Sequence, residues 1–336
     1  MREAFTQMLR CPACGRGGEW DVEDAVSDER EIRSAALRCR ACGHVRPVRD
    51  GIVDMLHEPP EFVVREAAGL ERFAQEMAND GWDREKILKL PFLDYGYWYA
   101  QAIGMEQVLE SEETAPLLKP GARILDVGSN TCWASATFAR HGLDVTALDI
   151  ATTEMQGLKT ADWWFEEHDI HFERVLGVMF EMPFADDSFD LVFCCEVLHH
   201  NHRANLRATY RELHRILKPG GRVISINEPV RSLGSPKLDP GAEVEQYEGH
   251  EHAYVRPTYV RAARRAGFSV ELLKPRTVGA FNAGPWTIAP ETPVNIGVRM
   301  GLFHMVRRTP ALARAYLAWR HYVTGDSLYL LATKPS

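Results

Sequence analysis

Cys11-Pro-Ala-Cys14-Gly15 and Cys39-Arg-Ala-Cys42-Gly43 are two near-identical knuckles separated by 24 residues. In each, two sulfurs share one tight turn whose glycine tolerates a positive φ, and two such turns facing each other supply four thiolates for tetrahedral zinc. A redox dithiol needs a single Cys-x-x-Cys beside a βαβ unit, so the duplication favours metal ligation by Cys11, Cys14, Cys39 and Cys42. The spacer is somewhat long, and a β-hairpin over Glu19 to Leu37 absorbs it. The remaining cysteines are Cys132, Cys194 and Cys195, which makes an odd total of seven. That count argues against a disulfide framework, and Cys194 and Cys195 read as core thiols at the end of a buried strand.

A second constellation is Ile124-Leu-Asp126-Val-Gly128-Ser-Asn130-Thr-Cys132-Trp133, a turn between an apolar strand and a helix. A dinucleotide fingerprint requires glycine at 128, 130 and 133, where this chain has Gly, Asn and Trp, so a nicotinamide cofactor is disfavoured. About 20 residues on, Asp149 closes the next strand, where a carboxylate accepts hydrogen bonds from both ribose hydroxyls. A cofactor with an adenosine and no pyrophosphate fits. Histidines form the third group. His199, His200 and His202 follow the fourth strand, and His250, Glu251 and His252 lie in a later polar loop. His200 or His252 is the expected general base, with Glu228 as its orienting carboxylate. Five imidazoles with Glu228 and Glu251 offer a divalent-metal alternative, which lacks the order of a His-Glu-x-x-His helix.

These residues need a scaffold, and the hydrophobic pattern supplies one. From Arg123 strands and helices alternate: strand Arg123–Val127, helix Trp133–His141, strand Val145–Ile150, helix Thr153–Glu167 and strand Arg174–Gly177. Strand Asp190–Cys195, helix Leu206–Leu217, strand Gly221–Asn227, helix Thr258–Ala266 and strand Ser269–Lys274 follow. The pattern predicts a doubly wound α/β sheet, with ligands at the carboxyl ends of its strands. Before it, Pro59-Pro60 breaks the chain ahead of a helix over Glu61–Asn79, an aromatic segment at Phe92–Tyr99 and a helix to about Leu109. The expected division is residues 1–57, a helical lid or linker at 58–119, and the α/β domain at 120–336 with a helical cap near 280–325.

The first 57 residues, ending in Pro47-Val-Arg-Asp-Gly-Ile52, resemble the small zinc-ribbon proteins that partner, or are fused to, methyltransferases. Residues 120 to 230 resemble a class I S-adenosylmethionine-dependent methyltransferase, close in pattern to the group that includes quinone-biosynthesis enzymes. The resemblance is carried by the Asp126 turn, by Glu181-Met-Pro-Phe-Ala-Asp-Asp-Ser-Phe-Asp190, by Cys195-Glu-Val-Leu-His-His200 and by Glu212-Leu-His-Arg-Ile-Leu-Lys-Pro-Gly-Gly-Arg-Val223. It implies a Rossmann-like sheet in which Ser327–Thr333 is an inserted antiparallel strand. It also implies S-adenosylmethionine held by Asp126, Gly128, Asn130, Asp149, Met179 and Glu196. The family's glycine-rich turn has Asn130 and Cys132 at its second and third glycines here, and Val178 stands where an acidic residue near adenine is usual. Tyr95, Tyr97, Trp98 and Tyr99 read either as an aromatic cover for the sulfonium or as packing of a helical lid.

With 336 residues, 45% hydrophobic and 26% charged, the chain can bury a large core, and its net charge of −8 argues against a whole-protein grip on nucleic acid. Residues 1 to 56 carry nine basic and ten acidic side chains, which suits a scaffold better than a nucleic-acid clamp. No stretch approaches roughly 18 apolar residues, and no signal peptide is visible, so the protein reads as cytoplasmic. Residues 293 to 336 instead hold six basic groups and one acidic. Two amphipathic helices bearing Arg307, Arg308, Arg314 and Arg320 would form a cap there, packed on the sheet or meeting a lipid-linked substrate or a membrane surface. The expected activity is methyl transfer to a small molecule, at oxygen, of a sugar or secondary metabolite. Methylation of RNA or protein with the ribbon as docking module, and a non-catalytic binding protein, are the alternatives.

Overall fold

The computed structural model describes residues 1–93, 96–230, 252, 254–274, 311 and 327–336, with the backbone alone at 96 and 97. The expected cap at 280–325 lies outside the described residues, apart from position 311. So do Tyr95, His250, Glu251 and the four cap arginines, and the side chain of Tyr97.

After a 3-10 helix at Glu3–Met8 come four strands, β1 (Trp20–Ser27), β2 (Ile32–Cys39), β3 (Val45–Arg49) and β4 (Ile52–Asp54). Helices α1 (Glu61–Asn79), α2 (Arg84–Ile87) and α3 (Gly96–Glu110) follow. The alternating part then runs β5 (Arg123–Val127), α4 (Trp133–Arg140), β6 (Asp144–Asp149), α5 (Ala161–His168), β7 (Glu173–Leu176), β8 (Phe189–Cys195), α6 (Arg203–Ile216), β9 (Leu217–Pro229), α7 (Arg256–Arg265), β10 (Ser269–Leu272) and β11 (Ser327–Thr333). Among the described residues, eleven strands form one sheet in the order β1-β2-β3-β4-β7-β6-β5-β8-β9-β11-β10. The five strands from β7 to β9 are parallel, and β11 inserts antiparallel between β9 and β10. Because β6 and β8 flank β5 on opposite sides, the winding reverses at β5, and a crevice opens beyond the carboxyl ends there.

Residues alternate across this sheet with the strand period of two. Leu125, Val192 and Cys194 pack with α6 and α7, while Ile124, Leu191 and Phe193 pack with α3, α4 and α5. The cysteine-bearing hairpin is hydrogen-bonded into this sheet, because β4 pairs in parallel with β7, Val53 opposite Val175. Its Leu9, Trp20, Leu37 and Val48 belong to the same core cluster as Leu125 and Val192.

Two elements differ from expectation. The helix expected from Thr153 begins only at Ala161, after a 3-10 turn at Leu158–Thr160. Gly157 is the reason: a Cβ there would lie 2.7 Å from the Ala151 carbonyl oxygen, so the chain folds back tightly over the end of β6. The strand expected from Gly221 starts at Leu217 and takes in Lys218-Pro-Gly-Gly as a bulge, the register passing from Phe189–Leu217 to Leu191–Arg222. Among the described residues, no helix is long and apolar enough to cross a membrane.

Candidate functional site

The crevice holds a cavity of about 580 Å³. Its floor is the β5–α4 turn. Gly128, Asn130 and Cys132 have φ of 69°, 45° and 59°, so this turn is left-handed at all three positions although only one is glycine. Gly128 is obligatory, since a Cβ there would collide with the Val197 side chain. Asparagine adopts this region readily, and cysteine at about 1–2 kcal/mol. Cys132 is fully buried in the core against α4 and does not line the cavity.

Asp149 ends β6 at the cavity wall. Its Oδ2 accepts from the Asn130 N–H at 2.8 Å and its Oδ1 from the Ala151 N–H at 2.9 Å. Burial pushes its pKa up to about 6 against these donors. Asp126, whose Oδ2 accepts from Ser135 Oγ at 2.6 Å, is raised by burial to about 7. The Asn130 side chain donates to Gln156 Oε1 at 2.7 Å, which uses the fold-back created at Gly157. Met179 and Val178 also line the cavity, and Asn201 Nδ2 donates to Met179 Sδ at 2.9 Å. Glu196, with φ of 48°, lines the cavity at the end of β8. The structure thus brings together Asp126, Gly128, Asn130, Asp149, Met179 and Glu196.

The histidines separate. His200 lines the cavity, and its Nδ1 lies 2.6 Å from Glu66 Oε1 of α1. His252 stands behind: its N–H donates to the His199 carbonyl at 2.8 Å, and its ring centroid is 4.3 Å from that of His202. Glu228 orients neither. It is fully buried and accepts from the N–H groups of Val197 (3.2 Å), Leu198 (3.1 Å) and His199 (2.5 Å) and faces His199 Nδ1 at 2.9 Å. A carboxylate is recruited because that turn has successive N–H groups that no helix satisfies. Its partner is therefore His199 and the backbone that carries His200.

Two cavity residues escaped the sequence reading. Glu66 belongs to the face of α1 that roofs the cavity with Phe62, Leu70, Phe73 and Met77, and a single carboxylate in that apolar stripe was the available signal. Gln101 of α3 had none. Its orientation follows from a chain of donors: the Ala100 carbonyl can only accept, so Asn227 presents Nδ2 to it at 3.3 Å and to Gln101 Oε1 at 2.9 Å. Cys195 Sγ lies 2.8 Å from the same Oε1, and burial holds its thiol protonated, as a donor. Gln101 Nε2, buried at the cavity, is left without a partner among the described residues. No lysine or arginine among them lines the cavity, whereas Glu66, Asp126, Asp149 and Glu196 do.

Away from the crevice, the four cysteine sulfurs lie within 4.8 Å of one another, with Cys11–Cys42 at 3.7 Å and Cys14–Cys39 at 3.8 Å. A tetrahedron of zinc–sulfur bonds has edges of about 3.8 Å, which two of the pairs match, so the donor set suits zinc. Gly15 and Gly43 close the two knuckles, each N–H donating at 2.8 Å to the carbonyl of Cys11 or Cys39. The N–H of Arg16 helps draw the Cys14 thiol down to about 7. The first knuckle also touches the cavity wall indirectly. Arg10 N–H donates to the Pro183 carbonyl at 3.0 Å and Ala185 N–H to that of Met8 at 2.8 Å, next to the segment bearing Val178 and Met179.

Residues 125–225 match the methyltransferase domain family. Over 106 residues the chain is 34% identical to demethylmenaquinone methyltransferase of Corynebacterium glutamicum (strain R), covering 32% of this chain and 41% of that protein. Over 187 residues it is 32% identical to 24-methylenesterol C-methyltransferase 2 of Oryza sativa subsp. japonica, covering 53% and 50%. The chain thus spans half or less of the length of these relatives. A solved structure of Haemonchus contortus phosphoethanolamine N-methyltransferase 2 with S-adenosyl-L-methionine superposes with a TM-score of 0.47 at 19% identity, covering 79% of this chain and 60% of that one. The sheet is an α/β Rossmann-like methyltransferase sheet.

Proposed function

We propose that this protein transfers a methyl group from S-adenosylmethionine to a small apolar molecule bearing a hydroxyl. The observation that carries the reading is Asp149, a buried carboxylate held by two backbone N–H groups at the end of β6, beside a turn left-handed at three alternate residues. Asp149 would hold the ribose diol, the turn from Gly128 to Cys132 would approach the methionine end, and Val178 and Met179 would flank adenine. The carboxylates of Glu66, Asp126 and Glu196, with no lining cation among the described residues, suit a positively charged ligand. The bound cofactor supplies an electrophilic methyl on a sulfonium.

The chain's own groups do the rest. His200, whose Nδ1 lies 2.6 Å from Glu66 Oε1, is the imidazole at the cavity that would take the proton of an acceptor hydroxyl. Gln101 Nε2 offers an unused donor to a second acceptor oxygen, and an unmet buried donor costs about 1–3 kcal/mol. Phe62, Leu70, Phe73, Trp98 and Phe180 make walls that exclude water and favour an apolar ring system over a sugar. The names of the curated relatives, a menaquinone and a sterol methyltransferase, support that class.

Calorimetry with S-adenosylhomocysteine tests the cofactor site. Wild type should bind, and Asp149→Ala should weaken binding about tenfold or more by removing a charged hydrogen-bond partner. No binding by wild type overturns the reading. The four cysteines are proposed as a structural zinc-ribbon site, tested by metal analysis: about one zinc per chain is expected, lost in Cys39→Ser.

A further inference from the structure

Helices α6 and α7 lie side by side on the sheet and carry eight arginines against one carboxylate, Glu212. Their balance of +7 stands in a chain of net −8, so the charge is sharply segregated. Arg215 turns to Glu212 and Asp186. Arg203, Arg207, Arg211, Arg261, Arg264 and Arg265 are exposed, and among the described residues none of the six has a carboxylate partner. Elsewhere several arginines are paired: Arg33, Arg38, Arg46, Arg84 and Arg174 each face a carboxylate.

Four of the unpaired arginines converge. Arg203 and Arg207 on α6, and Arg261 and Arg265 on α7, are each four residues apart and therefore on one helix face. They line a cleft of about 250 Å³ floored by Leu206, Thr258 and Ala262. Like charges gathered in a concavity repel each other, and what relieves them is an anion from solution. Guanidinium forks match phosphoryl oxygens two at a time, and the Thr258 hydroxyl adds a neutral donor. The site is compact, with two pairs facing across one cleft rather than a track, which suits a small polyanion better than a nucleic-acid strand.

We infer that the α6–α7 cleft is a binding site for a phosphate-class anion, bridged between Arg203 and Arg207 on one side and Arg261 and Arg265 on the other. The anion is either a soluble phosphorylated ligand or a phospholipid headgroup. The site does not depend on the methyltransferase reading, although Arg203 follows directly on the turn that carries His200 to the cavity.

Two measurements on the full chain decide it. One is calorimetric titration with inorganic pyrophosphate at low salt. The other is co-sedimentation with phosphatidylcholine vesicles with and without phosphatidylglycerol. The test variant is Arg207→Gln/Arg261→Gln, and Lys119→Gln/Arg140→Gln removes equal charge elsewhere. Saturable pyrophosphate binding, weakened by salt, should fall about tenfold or more in the cleft variant and stay within about twofold in the control. Pyrophosphate binding without vesicle recruitment identifies a soluble ligand. Recruitment dependent on phosphatidylglycerol and lost in the cleft variant identifies the headgroup. Neither binding event in wild type, or equal losses in both variants, overturns the inference. Circular dichroism of the variants verifies that these exposed substitutions leave the fold intact.

Discussion

The buried carboxylates make the first chemical demand. Asp149 has an ordinary pKa of 3.8 that burial raises to about 6 in the folded protein. Below pH 3.8 it is neutral folded or unfolded, and above 6 it is ionised in both. Between these values the unfolded chain releases the proton first, so the ligand-free protein loses stability across that window as pH rises. Cofactor affinity should run the other way, because an ionised carboxylate is the stronger acceptor for the ribose diol. S-adenosylhomocysteine affinity measured by calorimetry should therefore rise about tenfold from pH 5 to pH 7, and Asp149→Asn should flatten the profile. His200 carries the second demand. On an acceptor returned by a screen of hydroxylated quinols and sterols, Glu66→Gln and His200→Asn should each lower kcat about 100-fold, with cofactor affinity unchanged in His200→Asn. Asp149 was legible from sequence because it follows a strand at a fixed interval from a turn. Glu66 and Gln101 were not, because they come from helices outside the alternating pattern, and only the folded packing aims them at the crevice.

At the scale of elements, the parallel strands and their helices were legible because buried strands are continuous apolar runs and Pro-Gly pairs mark their ends. The fold-back at Gly157 was hidden, since its cause is a contact with the Ala151 backbone that no local pattern encodes. The turn from Val197 to Asn201 shows the same limit. Sequence proposes a carboxylate on β9 as partner to a histidine, whereas in the fold Glu228 binds three N–H groups of the turn as well as the His199 ring. This makes Glu228 a positioning residue for the turn backbone from Val197 to His199, not a partner of the His200 ring. An amide cannot accept on its nitrogen side, so Glu228→Gln leaves at least one buried N–H unmet at a cost of about 1–3 kcal/mol. Denaturant unfolding should record that loss of stability. Cofactor affinity should fall as well, because Val197 packs against Gly128 and Glu196 opens the turn.

Across the whole molecule, the cysteine-bearing hairpin and the central sheet meet at an ionic network as well as through the β4–β7 pairing. Arg174 of β7 is fully buried; it donates through Nη1 to Asp162 of α5 at 2.8 Å and through Nη2 to Glu31 of the β1–β2 turn and the Asp50 carbonyl, while its guanidinium lies 5.0 Å from the Phe165 ring centroid. Despite burial, which acts to raise it, the Glu31 carboxyl is held well below its ordinary range by His171 and Arg174. Removing one member of such a network strands the others: Arg174→Met should cost about 3–5 kcal/mol, and the double variant Arg174→Met/Glu31→Gln should recover part of it, as read by chemical denaturation. The same continuity predicts that metal and cofactor are coupled. Residues 8–10 bond to residues 183–185, so a knuckle that loses its metal loosens a strand pairing immediately beside the wall at Val178 and Met179. Chelation, or Cys39→Ser, should lower the melting temperature and weaken S-adenosylhomocysteine binding together, and zinc should restore both after chelation but not in Cys39→Ser. If metal removal leaves cofactor affinity unchanged, the cysteine-bearing hairpin and the crevice are thermodynamically independent despite sharing one sheet, because a pairing that melts without effect on the wall carries no coupling free energy.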